Sequence, residues 1–228
     1  MEYKMAFLLM LVMLTSWVAA LQDMSGKMFT FPIAPNRAYV KLITGTQEFK
    51  AVTICHRSFT DLRRDHALFS MATPSHYNSF LLFWDNTNKE LEPHVMDKKA
   101  ECAGLDYKMN MWHSICTTWD STSGIVQIWF NGWPSIRKYS VTGQIQSSSF
   151  VIILGQEQDS HGGGFDQSQS FVGMMTDVHM WNYVLSGCEI RNYSDERNFT
   201  PGNVISWKAL EFEIVDKVLV EDRVTQCY

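Results

Sequence analysis

The 228-residue chain carries 19 Lys and Arg against 24 Asp and Glu, a formal net charge of −5, and 46% of it is hydrophobic. This mild acidity excludes the strongly basic surfaces on which nucleic-acid and anionic-membrane binders rely, and the length suits one domain around a single large core. Five cysteines leave at least one thiol free or paired between chains.

After Glu2 and Lys4, residues 5–20 are almost wholly apolar and end in Val18, Ala19 and Ala20. The run falls short of the about 20 residues that a membrane-spanning helix needs, and its small terminal residues suit signal peptidase. Residues 1–20 therefore read as a secretory signal peptide. Residues 21–228 are then one extracellular domain, still at −5, in a compartment where disulfides form.

From Phe29 onward, short apolar runs alternate with turn residues. Residues 40–43, 51–55, 80–84 and 151–154 read as strands. Residues 85–104 are polar, hold Lys89, Glu90, Glu92, Asp97, Lys98, Lys99 and Glu101, and read as a solvated loop or short hairpin. The clearest local signal is the run 125–130 followed by Asn131, Gly132 and Trp133, because Asn-Gly supplies the positive φ of a tight hairpin turn. Many short strands without βαβ alternation predict an all-β fold, two antiparallel sheets packed as a jelly-roll sandwich. One short surface helix is expected from Ser186. There Ser186 and Glu189 form a capping box, Leu185 precedes them as a staple residue, and the helix stops before Pro201. Asn192 and Asn198 each open a glycosylation sequon.

Residues 155–169 gather oxygen donors in a Gly-rich loop behind the 151–154 strand. Calcium takes roughly 6–8 oxygens in loose geometry. Glu157, Asp159 and Asp166 offer carboxylates, Gln169 an amide oxygen, and the peptide carbonyl of Gln158 one more. Spacing alone leaves a plain solvated turn as the alternative. There is no EF-hand spacing, and the histidines do not cluster with cysteines as zinc ligands do.

Several stretches in order resemble the short pentraxins, the family of C-reactive protein and serum amyloid P component. They are Asp23-Met24-Ser25 with Phe29 and Phe31-Pro32, then Cys116-Thr117-Thr118-Trp119-Asp120-Ser121, then Ile153 through Glu157-Gln158-Asp159-Ser160. Met180-Trp181, Val184-Leu185-Ser186 and Ser206-Trp207-Lys208-Ala209-Leu210 follow. The chain departs from the family signature in one place, with Ser114 where a histidine belongs.

The resemblance implies a disulfide between Cys55 and Cys116, with Cys102, Cys188 and Cys227 outside the shared pattern. It also implies two adjacent calcium ions held by Asn78, Glu157, the Gln158 carbonyl, Asp159, Asp166 and Gln169. Tyr77 stands where the family has an aspartate beside Asn78, so weaker binding is expected at the first ion, and Asp166, where a glutamate is usual, touches the other ion. Phe83 matches the aromatic wall of a pocket for phosphocholine, phosphoethanolamine or sugars. The acid that would meet a choline cation falls somewhere in residues 85–104. A cyclic homo-oligomer, the pentamer above all, and complement partners are implied as well.

The expected function is therefore secreted, calcium-dependent recognition of microbial or damaged surfaces in innate immunity, of acute-phase type, without catalysis. Two other readings compete. An adhesive or structural sandwich protein would bind without calcium. A jelly-roll glycosidase would use Glu157 and Asp159, but it lacks a second glutamate at Gly162, and retaining hydrolysis needs two carboxyls.

Overall fold

The computed structural model describes residues 21–45, 48–147 and 149–223. The expected signal peptide and Cys227 lie outside the described residues. In chain order the strands are β1 (Lys27–Phe31), β2 (Tyr39–Leu42), β3 (Ala51–Phe59), β4 (His66–Ala72), β5 (Phe80–Asp85), β6 (Glu90–Val95), β7 (Lys98–Lys99) and β8 (Cys102–Ala103). They continue as β9 (His113–Asp120), β10 (Ile125–Phe130), β11 (Trp133–Pro134), β12 (Lys138–Tyr139), β13 (Val151–Leu154), β14 (Gly173–Trp181), β15 (Phe212–Val215) and β16 (Leu219–Asp222). Helix α1 (Gly187–Ser194) lies between β14 and β15.

Two antiparallel sheets result. One runs β11-β10-β9-β3-β14-β1-β16 with β12 also on β10, and the other β15-β2-β13-β4-β5-β6-β7 with β8 also on β6. Alternation of side chains decides which face each strand buries. Val126, Ile128 and Phe130 of β10 point inward, and the β10–β11 turn has Asn131 at φ 50° and Gly132 at φ 80°, as the hairpin signal requires. The inner faces meet in a core that includes Phe29, Phe31, Phe69, Phe80, Trp119 and Trp207. Burying each of these rings contributes about 2–3 kcal/mol.

Of the two readings of residues 85–104, the hairpin holds and the solvated loop does not. Six of these residues form β6, and β7 and β8 pair with it. Leu91 and Val95 enter the core while Glu90, Glu92 and His94 face the other way. The alternation is strict but short and holds a proline, which argues against a strand in sequence reading. Pairing with the whole of β5 supplies what local preference lacks.

On the far face of the first sheet, α1 covers a second cluster of Cys55, Cys116, Trp181, Leu185, Ile190 and Tyr193. Ser186 caps the helix by accepting from Glu189 N, and Leu185 and Ile190 pack as the staple pair. Only half of the capping box forms, because Glu189 Oε2 accepts instead from Thr200 N at 2.8 Å. Gly187 is needed where it stands, since a Cβ there would lie 2.7 Å from the Trp129 ring.

Within this cluster Cys55 and Cys116 are directly opposed on β3 and β9 and form a disulfide. Cys102 is a buried free thiol and Cys188 an exposed one on α1, so these two do not pair with each other. The bridge closes a separation of 61 residues, which corresponds to about 4 kcal/mol of loop-closure entropy. Replacing both cysteines with alanine is expected to lower unfolding free energy by about that amount in denaturant titration. An unchanged midpoint would remove the bridge as a support of the fold.

Candidate functional site

The 155–169 segment leaves β13 and doubles back over the outer face of the second sheet. Gln158 makes that turn possible. Its Nε2 donates to Ser70 O, Ser70 Oγ and Val151 O, each at 3.1 Å, and its Oε1 accepts from Gly162 N at 3.0 Å. Of its oxygens, the main-chain carbonyl is thus the one available to a metal. Ser160 and Gly163 exchange two backbone hydrogen bonds at the loop tip. Gly164, at φ 76°, passes so close that a Cβ would lie 2.8 Å from Asp159 Cβ.

This folding brings Glu157, Asp159 and Gln169 to Asn78, which enters from the turn before β5. Together with Leu81, Phe83, Glu92 and His94 they line a cavity of about 200 Å³. Three of its oxygens, Asn78 Oδ1, Glu157 Oε2 and Gln169 Oε1, are buried without a hydrogen-bond partner. Buried polar atoms are normally satisfied. All three are hard acceptors on one cavity, and a hard cation is the partner such a set lacks.

Electrostatics point the same way. Glu157 is 3% exposed, and burial, followed by the charges of Asp159 and Asp166, pushes its carboxyl up to about 7. Asp166 does not line the cavity. It caps the short 3-10 turn Gln167–Gln169, accepting from Ser168 N at 2.8 Å, and that bond holds its carboxyl below the usual range. Its closeness shows in its effect on Glu157.

Tyr77 is 47% exposed and contributes no carboxylate. Asp97, which sequence reading left in a loop, stands beside it, accepting from Asn78 N at 3.0 Å and holding His76 Nδ1 at 2.6 Å. Asp97 therefore fixes the Asn78 backbone. Phe83 lines the cavity, while its neighbour Trp84 packs in the core.

Leu81, Glu92 and His94 were not singled out from sequence. Glu92 is directly opposite Phe83, and His94 opposite Leu81, across the β5–β6 ladder. The strict alternation of residues 90–95 was the available signal. Burial pushes His94 below its ordinary value, with Glu92 pulling the other way, and His94 Nε2 lies 3.5 Å from Glu92 Oε2. Farther along the same face Asp85, Glu90 and Glu92 each place an oxygen within 4.8 Å of the others. Among the described residues this is the trio of carboxylates that converges most tightly, tighter than Glu157, Asp159 and Asp166. Asn192 is half-buried in α1 and Asn198 is exposed just beyond it.

Residues 27–222 match the Pentaxin family. The chain is 38% identical over 219 residues to C-reactive protein of Sus scrofa, covering 96% of this chain and 97% of that one. It is also 38% identical over 212 residues to serum amyloid P-component of Rattus norvegicus, covering 92% and 91%. A heptameric SAP-like pentraxin from Limulus polyphemus superposes with a TM-score of 0.79 at 25% identity, covering 89% of this chain and 97% of that one.

Without metal, Glu157 keeps its proton up to about pH 7, whereas a cation takes only the carboxylate. Added calcium is expected to expel a proton near neutrality, with apparent affinity falling about tenfold per pH unit below that point. In the metal-free fold this group's contribution to stability is present below the ordinary 4.5 and lost as pH rises through about 7. Calorimetry in buffers of different ionisation enthalpy measures the released proton. Calcium binding with no release at pH 7 would take Glu157 out of the site.

Proposed function

The chain belongs to the pentaxin family, and on that basis we propose that it is a secreted, calcium-dependent recognition protein of innate immunity. It binds phosphocholine, phosphoethanolamine or sugar groups on microbial or damaged surfaces and performs no catalysis. The observation that carries this reading is the set of unsatisfied oxygens on one cavity, Asn78 Oδ1, Glu157 Oε2 and Gln169 Oε1. Asn78, Glu157, the Gln158 carbonyl, Asp159 and Gln169, with Asp166 beside them, would hold two calcium ions, whose charge supplies attraction for phosphate or hydroxyl oxygens. The chain's own residues do the rest. Gln158 keeps the loop on the sheet, Asp97 keeps Asn78 in place, and Leu81 and Phe83 provide an apolar floor. Phe83 offers a ring face to a quaternary ammonium, a contact of about 0.5–2 kcal/mol.

A cyclic homo-oligomer fits the surface. Exposed Trp133, Ile136 and Tyr139 lie at the β11–β12 edge of the first sheet, and Leu219 and Val220 on β16 at its opposite edge, with Ile214 on β15 closing the second sheet. Two different edges that are each apolar suit head-to-tail contacts, which close into rings. A pentamer is the ring we propose, and ring closure multiplies a weak single site into avidity.

Beads carrying phosphocholine, phosphoethanolamine or galactose test the reading directly. Retention on at least one in calcium and release by a chelator is the expected result. Retention that ignores chelator would favour an adhesive protein instead. The first ion has one carboxylate fewer than the family, since Tyr77 replaces it, and calcium affinity follows ligand charge. Tyr77→Asp should therefore raise calcium affinity by about tenfold in calorimetric titration, and an unchanged constant would mean that this position does not face the ion.

A further inference from the structure

The wall of the cavity opposite the calcium-type oxygens carries Glu92 and His94 of β6, and β7 pairs with β6 beside it. Glu92 is buried there, its side chain 7% exposed. Its Oε1 is occupied by an ammonium of this chain, because Lys99 Nζ lies 2.8 Å away and also reaches Glu101 Oε1 at 3.0 Å. Lys99 is cross-strand from His94 and so stands on the same face as the cavity wall. The hydrogen bonds that it donates to Glu92 and Glu101 raise its pKa, so it is charged wherever the protein works. The other oxygen of Glu92 faces His94 Nε2 at 3.5 Å, a nitrogen that has no hydrogen-bond partner.

We propose that Lys99 is a specificity-determining residue, a resident cation that occupies Glu92 and turns the pocket away from ligands with a distal ammonium toward those ending in hydroxyl groups. The proposal rests on the calcium-dependent reading above and refines which ligand class that site takes. Glu92 is the carboxylate placed to receive a ligand cation, being opposite Phe83 and on the cavity. A choline or ethanolamine group would have to displace Lys99 from a buried partner. A hydroxyl would not, and His94 Nε2, within reach of the same wall, can exchange a hydrogen bond with it. A quaternary ammonium cannot donate a hydrogen bond at all. Lys99 also offsets a strongly acidic neighbourhood, since Asp85 and Glu90 converge on Glu92. Removing it should uncover a wall that attracts cations.

Two phosphate monoesters differing in the distal group separate the effects, phosphocholine and glycerol 3-phosphate, titrated into the full chain in saturating calcium. Wild type is expected to bind glycerol phosphate at least as well as phosphocholine. Lys99→Met should raise affinity for phosphocholine by about tenfold, the scale on which one uncovered charge acts in a partly buried site, and leave glycerol phosphate unchanged. Lys99→Arg keeps the charge and should keep the wild-type ratio. Adding Glu92→Gln to Lys99→Met should return the ratio to that of wild type. A wild type preferring phosphocholine by more than tenfold, or a ratio unmoved in Lys99→Met, would overturn the proposal. Binding of neither ester by wild type in calcium would instead overturn the calcium-dependent reading. A thermal midpoint for each variant identifies any that has lost its fold.

Discussion

The loop over the outer face of the second sheet depends on the side-chain amide of Gln158. Fully buried, it joins the loop to β4 and β13 at once through Ser70 and Val151 and holds the loop tip through Gly162. An acidic Gly-rich segment would otherwise remain in solvent, where its charges repel and its backbone is hydrated. Pinned at Gln158, the residues on either side, Glu157 and Asp159, are carried to the mouth of the cavity. Burial of Glu157 and the high pKa that follows are consequences of this one fixing. A carboxyl kept near its own titration point is sensitive to any cation that arrives, so the amide anchors would indirectly set how steeply the proposed calcium binding responds to pH.

How much of this was legible in sequence depended on whether a residue acts locally. The Asn131-Gly132 turn, the Ser186 cap and the alternation of residues 125–130 are decided within a few residues, and the structure has each of them. Glu189 was read as part of a capping box, but a tertiary neighbour, Thr200 N, competes for its carboxylate. Residues 90–95 were not singled out as a strand because charged side chains at outward positions look solvated, whereas here Glu90 and Glu92 are buried and Glu92 pairs with Lys99. The oxygen donors of the calcium-type loop were recognisable by type. Grouping Asn78 with Glu157 and Gln169 came from the family resemblance and not from spacing, since their meeting depends on a loop folding back across β4. Gln158 shows the limit most clearly, because only its backbone carbonyl had been singled out and its side chain turned out to hold the loop.

The two faces of the sandwich divide the work. The first sheet turns α1, the disulfide and both sequon asparagines outward, and the second turns out the cavity with its loop. Between them lies a core of tightly packed aromatic rings. Such cores deform little, so modification at Cys188 or Asn198 on one side leaves the geometry of Asn78 and Glu157 on the other intact. In the ring proposed above, this separation would place every cavity on one side and every helix on the other. Buried Glu92 and its exposed partner Lys99 both belong to the cavity side, so a change at Lys99 leaves what the opposite face presents unaltered.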